Sequence, residues 1–296
     1  MNYNIKGKEY TYTKKVRDTP WIREGFNGLV RQTFGFDFKP WHGAGVWGEH
    51  YIPHLLLDGE RAVANVSVNV LPVKAFGQEW KVVQLGTVMT DPEYRGRGLS
   101  RFLMEMVKKQ YDYDMMYLYA NDNVLDFYPR FGFSKGQEYE YAVEKPLQSG
   151  TRCKIRQMDM AQKQDQQLLY EKAKEGNPFS EIQMQNRENI MMFYALLFEK
   201  ENIYFLEEEQ LAAVIERKGS RLFLKDIFGR TTEELDQVIR KIAWPGEEVV
   251  LGFAPKQKQG FRETECHQED TTLFVLDSGT NLFEEYRTRF PVLSQA

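Results

Sequence analysis

Two arginines, two glycines and a serine fall within the six residues RGRGLS (95–100), and a carboxamide and a phenol follow in NDNVLDFYPRFGF (121–133). Gly96 and Gly98 let a backbone come close to a ligand. A helix starting behind them points its unpaired N–H groups and the positive end of its dipole outward. Arg95 and Arg97 add positive charge. Together these suit the holding of a phosphate group, although RGRG alone is more often only a solvated basic turn. The flanking elements therefore decide. Upstream, KVVQLGTVMT (81–90) is rich in β-branched and apolar residues, and Pro92 ends the ladder because it has no N–H to donate. Downstream, Leu99, Phe102, Leu103, Met106 and Val107 lie on one face of a helix. The basic loop thus sits between a strand and a helix start.

The two segments together resemble the GNAT superfamily of acyl-CoA-dependent N-acetyltransferases. That family carries an R/Q-x-x-G-x-G/A loop for the CoA pyrophosphate and an Asn followed by an F-Y-x-x-x-G-F segment beside the thioester. Arg95 and Gly98 stand at the first and fourth places of the loop motif. The sixth, Gly or Ala in the family, is Ser100, whose rotamer must avoid the pyrophosphate. The resemblance implies that Arg95, Gly96, Arg97, Gly98, Leu99, Ser100 and Asn123 contact acetyl-CoA, the acyl donor. It also implies that backbone N–H groups over Thr87, Val88 and Met89 face the thioester oxygen, and that Tyr128 protonates the leaving thiolate. Without the resemblance, a tyrosine among Phe127, Phe131 and Phe133 reads as packing. VMTDPEYRGRGL and YPRFGF are most similar to the enhanced-intracellular-survival type. Proteins of that type carry a third domain whose terminal carboxylate reaches the active site, and a chain ending at Ala296 is expected to lack it. The resemblance covers about the first half of the chain.

Transfer of an acetyl group to an amine also needs a way to remove the ammonium proton. Gln84, Gly86 and Val88 occupy the alternate positions of the fourth strand where some family members carry Glu, so the base stays open between a water chain and a carboxylate from elsewhere. The aromatic, Gly-rich segment WHGAGVWGEHYIPH (41–54) borders the amine in the family. Trp41, Trp47 and Tyr51 are candidates to flank a cationic substrate, with ordinary loop packing as the alternative. His42, His50 and His54 lie in the same segment, but Pro53 disfavours a continuous helix and no Cys or carboxylate completes a set, so no metal is expected.

Composition narrows the class. Lys plus Arg total 39 against 43 Asp plus Glu, a net charge of −4 with dispersed basic residues, which disfavours nucleic acid as a partner. No apolar run approaches the ~20 residues of a membrane span, and the start MNYNIKGKEY lacks an apolar signal stretch. No membrane is expected as a partner, and a cytoplasmic location is. Cys153 and Cys266 form no CxxC pair, which points to unpaired thiols.

The expected fold class is α/β (α+β), a GNAT-like mixed sheet with flanking helices whose central strands splay, followed by a second, degenerate GNAT-like domain. Strands are read at 9–17, 54–73 as a hairpin turning at Asp58-Gly59, 82–90, 115–120 and 138–145. Helices are read from Pro20 to about residue 33, behind the basic loop, and over 123–130. A polar linker, PLQSG (146–150), divides residues 1–146 from 151–296. The second half repeats the order: a strand at 152–157, helices at 161–174 and 182–199, strands at 203–206, 211–216, 221–225 and 248–253, and a helix at 231–242 capped by Thr231 or Thr232. GFRETECHQEDTTLFVL (260–276) echoes GFSKGQEYEYAVEK (132–145). DIFGR (226–230) and APKQKQ (254–259) carry no equivalent of the loop, Asn or Tyr. That half is expected to cover the acceptor side of the first domain's site, whether it is a duplication or an unrelated α+β packing domain. Two functions follow: an N-acetyltransferase acting on a small amine or a lysine side chain, or a non-catalytic acyl-CoA-binding regulatory module. Composition leaves the oligomeric state open.

Overall fold

The computed structural model describes residues 1–144 and 153–295, so the linker expected at 146–150 lies outside the described residues. The chain opens with a hairpin, β1 (Asn2–Ile5) and β2 (Lys8–Thr13), turning through positive φ at Lys6 and Gly7. Only β2 was expected. Pro20 then starts α1 (Pro20–Phe34), whose missing N–H costs nothing at a first helical position, and Gly35 at φ 81° closes it by donating to the Arg31 carbonyl. The Gly/Trp-rich segment contains a short helix, α2 (Lys39–Gly43). An antiparallel meander follows, β3 (Tyr51–Asp58), β4 (Arg61–Ala75) and β5 (Gln78–Thr90). After the basic loop, α3 (Leu99–Gln110) crosses over to β6 (Met115–Ala120), parallel to β5. Residues 121–131 form two 3-10 turns, Asp122–Val124 and Tyr128–Phe131, instead of the helix expected over 123–130. Pro129 withholds one N–H and Gly132 at φ 90° ends the second turn.

Next come β7 (Ser134–Lys135), β8 (Glu138–Val143), β9 (Ile155–Gln157), α4 (Lys163–Glu175), β10 (Gln183–Met184) and α5 (Glu188–Leu197). The helix read over 182–199 is therefore shorter, because its first residues pair with β4. After β11 (Ile203–Leu206), β12 (Leu211–Lys218) and β13 (Arg221–Phe228), α6 (Leu235–Ile242) is capped by Glu234, not by Thr231 or Thr232. Gln237 completes a reciprocal capping box. The last elements are β14 (Glu248–Leu251), β15 (Phe261–Cys266), β16 (Thr272–Asp277) and α7 (Leu282–Glu285).

Two mixed sheets result, and they exchange a strand. The first runs β1-β2-β3-β4-β5-β6-β16-β7, with β10 beside β4, and the second β15-β8-β14-β13-β12-β11-β9. Thus the strand near 138–145, read as the last of the first unit, sits in the second sheet, and β16 from the far end of the chain fills its place beside β6. The segment 260–276 that echoes 132–145 is likewise split between the sheets. Each sheet has one parallel pair bridged by a helix, β5-α3-β6 and β13-α6-β14.

One buried group near the first sheet makes a testable contribution to stability. His54 on β3 is fully buried, with Nδ1 2.9 Å from the Tyr12 hydroxyl and Nε2 2.8 Å from that of Tyr111. Burial, helped by Lys14, lowers its pKa to about 3. The unfolded chain takes up this proton below about pH 6.5 while the folded chain does not, so stability is lost as pH falls through that window. Urea unfolding at pH 7, 6, 5 and 4 is expected to show an extra loss of about 1.4 kcal/mol per unit below pH 6. His54→Gln should lack that increment; parallel curves would refute it.

Candidate active site

The site is built on a break in β4–β5 pairing. Asn65 opposes Met89 and Ser67 opposes Gly86, so Val66 alone faces both Thr87 and Val88, a β-bulge. Thr87 has φ 41°, an unfavourable region for a β-branched residue, which a polar cluster holds in place. Its hydroxyl donates to Ser67 Oγ (2.6 Å), accepts from Asn65 Nδ2 (3.2 Å) and lies 2.9 Å from the Tyr51 hydroxyl. Asn65 Nδ2 also donates to the Thr87 carbonyl at 2.9 Å. The parallel pairing of β5 with β6 stops at Leu85 and Leu118. Beyond it lies a cleft of about 1310 Å³, larger than the several hundred Å³ that one drug-sized ligand needs. Thr87, Val88 and Met89 all line it.

At one end of the cleft is the basic loop. Asp91 accepts from the Glu93 amide (3.0 Å) and from Arg61 Nη2 (2.7 Å), fixing a 3-10 turn over Pro92–Tyr94. Gly96 and Gly98 then take φ 75° and 84°, and α3 begins with Phe102 N–H donating to the Gly98 carbonyl at 3.0 Å. The amides ahead of that bond are the helix-start donors. The Ser100 hydroxyl is hydrogen-bonded to that of Thr90, which turns it onto the strand end. Arg95, Gly96, Gly98, Leu99 and Ser100 line the cleft, whereas Arg97 does not. Its guanidinium lies 4.5 Å from the centre of the Tyr94 ring and donates to the Glu93 carbonyl at 2.8 Å, so it braces the turn instead of facing a ligand. Two cations that sequence reading missed replace it, Arg101 and Lys6. Lys6 reaches over from the first hairpin and donates to the Gly96 carbonyl at 3.2 Å.

Across the cleft, Asn123 is exposed on the first 3-10 turn, and Asp270 of the β15–β16 connection steadies that turn. The Asp270 carboxylate accepts from Asn121 Nδ2 (2.9 Å) and the Asp122 amide (2.7 Å). Tyr128 is only 5% exposed, packed near Phe127, Phe133 and Phe274 of β16, yet it lines the cleft. Burial pushes its pKa up to about 12, so the phenol keeps its proton throughout the neutral range.

On the opposite face of the first sheet the wall is aromatic. Trp41 and Tyr51 line the cleft, but Trp47 does not. Trp47 is buried with its ring stacked 5.2 Å from Trp41 and edge-on to Phe38, and its indole N–H donates to the Tyr51 carbonyl at 3.2 Å. Packing is its role. The wall is extended by Phe34 and Phe36, and by Phe193, Tyr194 and Phe198 in and just after α5, none of them anticipated. Gln295 also lines it, its carbonyl accepting from the Tyr194 hydroxyl at 2.8 Å. His42, His50 and His54 do not converge, and no group of three His, Cys, Asp or Glu side chains suited to a metal occurs among the described residues.

Residues 24–136 match the family model of the acetyltransferase (GNAT) domain. Over these residues the chain carries a GNAT-type acetyltransferase domain. Several solved structures share the fold over most of its length. A probable N-acyltransferase from Enterococcus faecalis V583 matches with TM-score 0.55 at 14% identity, over 90% of this chain and 72% of that one. A GCN5-related N-acetyltransferase from Kribbella flavida gives 0.53 at 16%, over 90% and 70%. Eis1 from Mycobacterium abscessus gives 0.55 at 11%, over 90% and 73%. At such identities the likeness is one of fold. No curated protein matches the sequence.

The second sheet has a β-bulge of its own, with Lys225 the extra residue opposite Val214 and Ile215, but among the described residues it has no equivalent of the splay or the basic loop. There, backbone contact continues past the parallel pair, with Gly252 N–H donating to the Leu224 carbonyl at 2.8 Å. A Cβ on Gly252 would stand 2.3 Å from the Lys225 carbonyl oxygen. The strands are closed where β5 and β6 part.

Proposed function

We propose that the protein is an acetyl-CoA-dependent N-acetyltransferase that acetylates a primary amine of a small molecule or a lysine side chain. The observation that carries this reading is the convergence, in one cleft, of a strand-to-helix cationic loop, a bulged strand at Thr87–Met89 and the buried phenol of Tyr128. The loop residues Arg95, Gly96, Gly98, Leu99 and Ser100, with Lys6 and Arg101, hold the pyrophosphate. Asn123 contacts the pantetheine arm. Residues 1–146, giving β8 to the second sheet and receiving β16 in exchange, form the catalytic unit, and residues 151–296 form the accessory unit that supplies α5 to the acceptor wall. We place it in the cytoplasm; among the described residues no helix is long and apolar enough to cross a membrane.

In the reaction the amine nitrogen attacks the thioester carbon, the N–C bond forms, the C–S bond breaks, and the ammonium proton passes to water at the open mouth of the cleft. Backbone N–H groups of the bulge stabilise the tetrahedral oxyanion, preorganised by the Asn65, Ser67 and Tyr51 cluster that holds Thr87. A phenol with pKa about 12 is a weaker acid than a thiol of about 8.5, so Tyr128 acts chiefly by donating a hydrogen bond to the departing sulfur. This sharpens the proton-donor role expected from an unperturbed tyrosine. Thiol release from acetyl-CoA should appear with at least one amine among polyamines, aminoglycosides, arylalkylamines and lysine peptides. Tight CoA binding without release on any of them would favour the regulatory module instead.

A further inference from the structure

We infer that the acceptor is a primary monoamine bearing an aromatic or bulky apolar group, not a polycation and not a lysine-bearing peptide; this rests on the N-acetyltransferase reading above. The acceptor side of the cleft is a run of aromatic rings leading from solvent toward the bulge. Phe34 and Phe36 stack with centroids 6.0 Å apart and planes 27° apart, and Phe36 and Phe38 follow at 5.9 Å and 14°. From the other half of the chain, Phe198 and Phe193 meet Phe36 edge-on at 5.3 Å and 5.8 Å. Phe34 is 40% exposed and Phe198 49%, unusual for such large apolar side chains, so the mouth presents apolar surface to water. An aromatic acceptor entering there would find offset and edge-on partners.

Charge points the same way. The only carboxylate side chain among the described lining residues is Asp270. Both its oxygens are already engaged at the cofactor end, accepting from the Asn121 side chain and the Asp122 amide. The other charged groups lining the cleft, Lys6, Arg95, Arg101 and Arg130, are cationic. A single amine can shed its proton and attack as the neutral base, transferring an acetyl group to nitrogen while CoA leaves as the thiol. A second or third ammonium on the same molecule would enter an aromatic wall whose described lining residues offer it no free carboxylate, and an unpaired ion there is strongly disfavoured.

The test is steady-state thiol release by the full chain with saturating acetyl-CoA. kcat/KM for 2-phenylethylamine and benzylamine is expected to exceed that for spermidine, kanamycin and a lysine hexapeptide by at least about a hundredfold. Phe36→Ala, and separately the exposed Phe198→Ser, should lower kcat/KM for 2-phenylethylamine about tenfold through KM. kcat/KM for propylamine should fall by less than that for 2-phenylethylamine, and the KM for acetyl-CoA should change by less than about threefold. Preference for the polycations or the peptide overturns the acceptor class while leaving the transferase intact. Equal loss for propylamine and 2-phenylethylamine in both variants overturns the role of the aromatic wall. Acetyl-CoA binding with no turnover of any amine overturns the transferase reading itself.

Discussion

Replacing Tyr128 by Phe is expected to lower kcat by about two to three orders of magnitude while the KM for acetyl-CoA changes less than about threefold. The substitution removes one oxygen from a ring held by Phe127, Phe133 and Phe274, so packing and fold are retained. What is lost is a donor aimed into the cleft, felt only when negative charge builds on sulfur, hence the effect on turnover and not on binding. Because burial lifts the phenol to about 12, no activity loss from its ionisation is expected below about pH 11. Steady-state kinetics with the best amine check both points. Equal turnover in the two proteins would remove Tyr128 from the chemistry.

The second large effect concerns stability. Arg187, at the start of α5, and Asp226 on β13 are both buried and paired, and Asp226 also accepts from Asn177 Nδ2 (2.8 Å) and the Ile227 amide (2.9 Å). Arg187→Leu strands the carboxylate and is expected to cost about 3–5 kcal/mol at pH 7. Burial already pushes the Asp226 carboxyl upward, opposed by Arg187. Without the arginine its pKa rises further, and the variant folds best with the group protonated. The cost is therefore greatest at neutral pH and shrinks as the pH falls through the variant's raised carboxyl pKa, because the stranded group is then protonated in the folded chain. Urea unfolding across pH 7 to 4 measures this, and a pH-independent cost would contradict it. Since α5 carries Ile190, Phe193 and Tyr194 into the cleft, Arg187→Leu should also raise the KM for the amine more than that for acetyl-CoA.

Local pattern made much of the first unit legible. Alternation with Asp58-Gly59 located β3 and β4, and the apolar face beginning at Leu99 located α3. Most of the residues that the motif marks line one cleft. The strand exchange was not legible, because 138–143 and 272–277 alternate equally well and periodicity does not say which sheet a strand joins. Helical reading over 123–130 failed where Pro129 and the preceding residue resist α geometry. Composition likewise cannot separate Trp41 on the cleft from Trp47 behind it, nor Arg95 on the cleft from Arg97 stacked on Tyr94. Lys6 gave no signal, since it meets Gly96 only through a hairpin ninety residues upstream. Phe36 and Phe198 face each other only once both halves have folded.

The most direct test of the central claim is a crystal structure of the protein with CoA bound. The pyrophosphate is predicted on the amides of the 95–100 loop, and the arm is predicted to pass between the parting ends of β5 and β6. The sulfur should lie within hydrogen-bond reach of the Tyr128 hydroxyl, beside the bulge at Thr87–Met89. CoA bound elsewhere, or threaded so that its sulfur is remote from both Tyr128 and the bulge, would contradict the account.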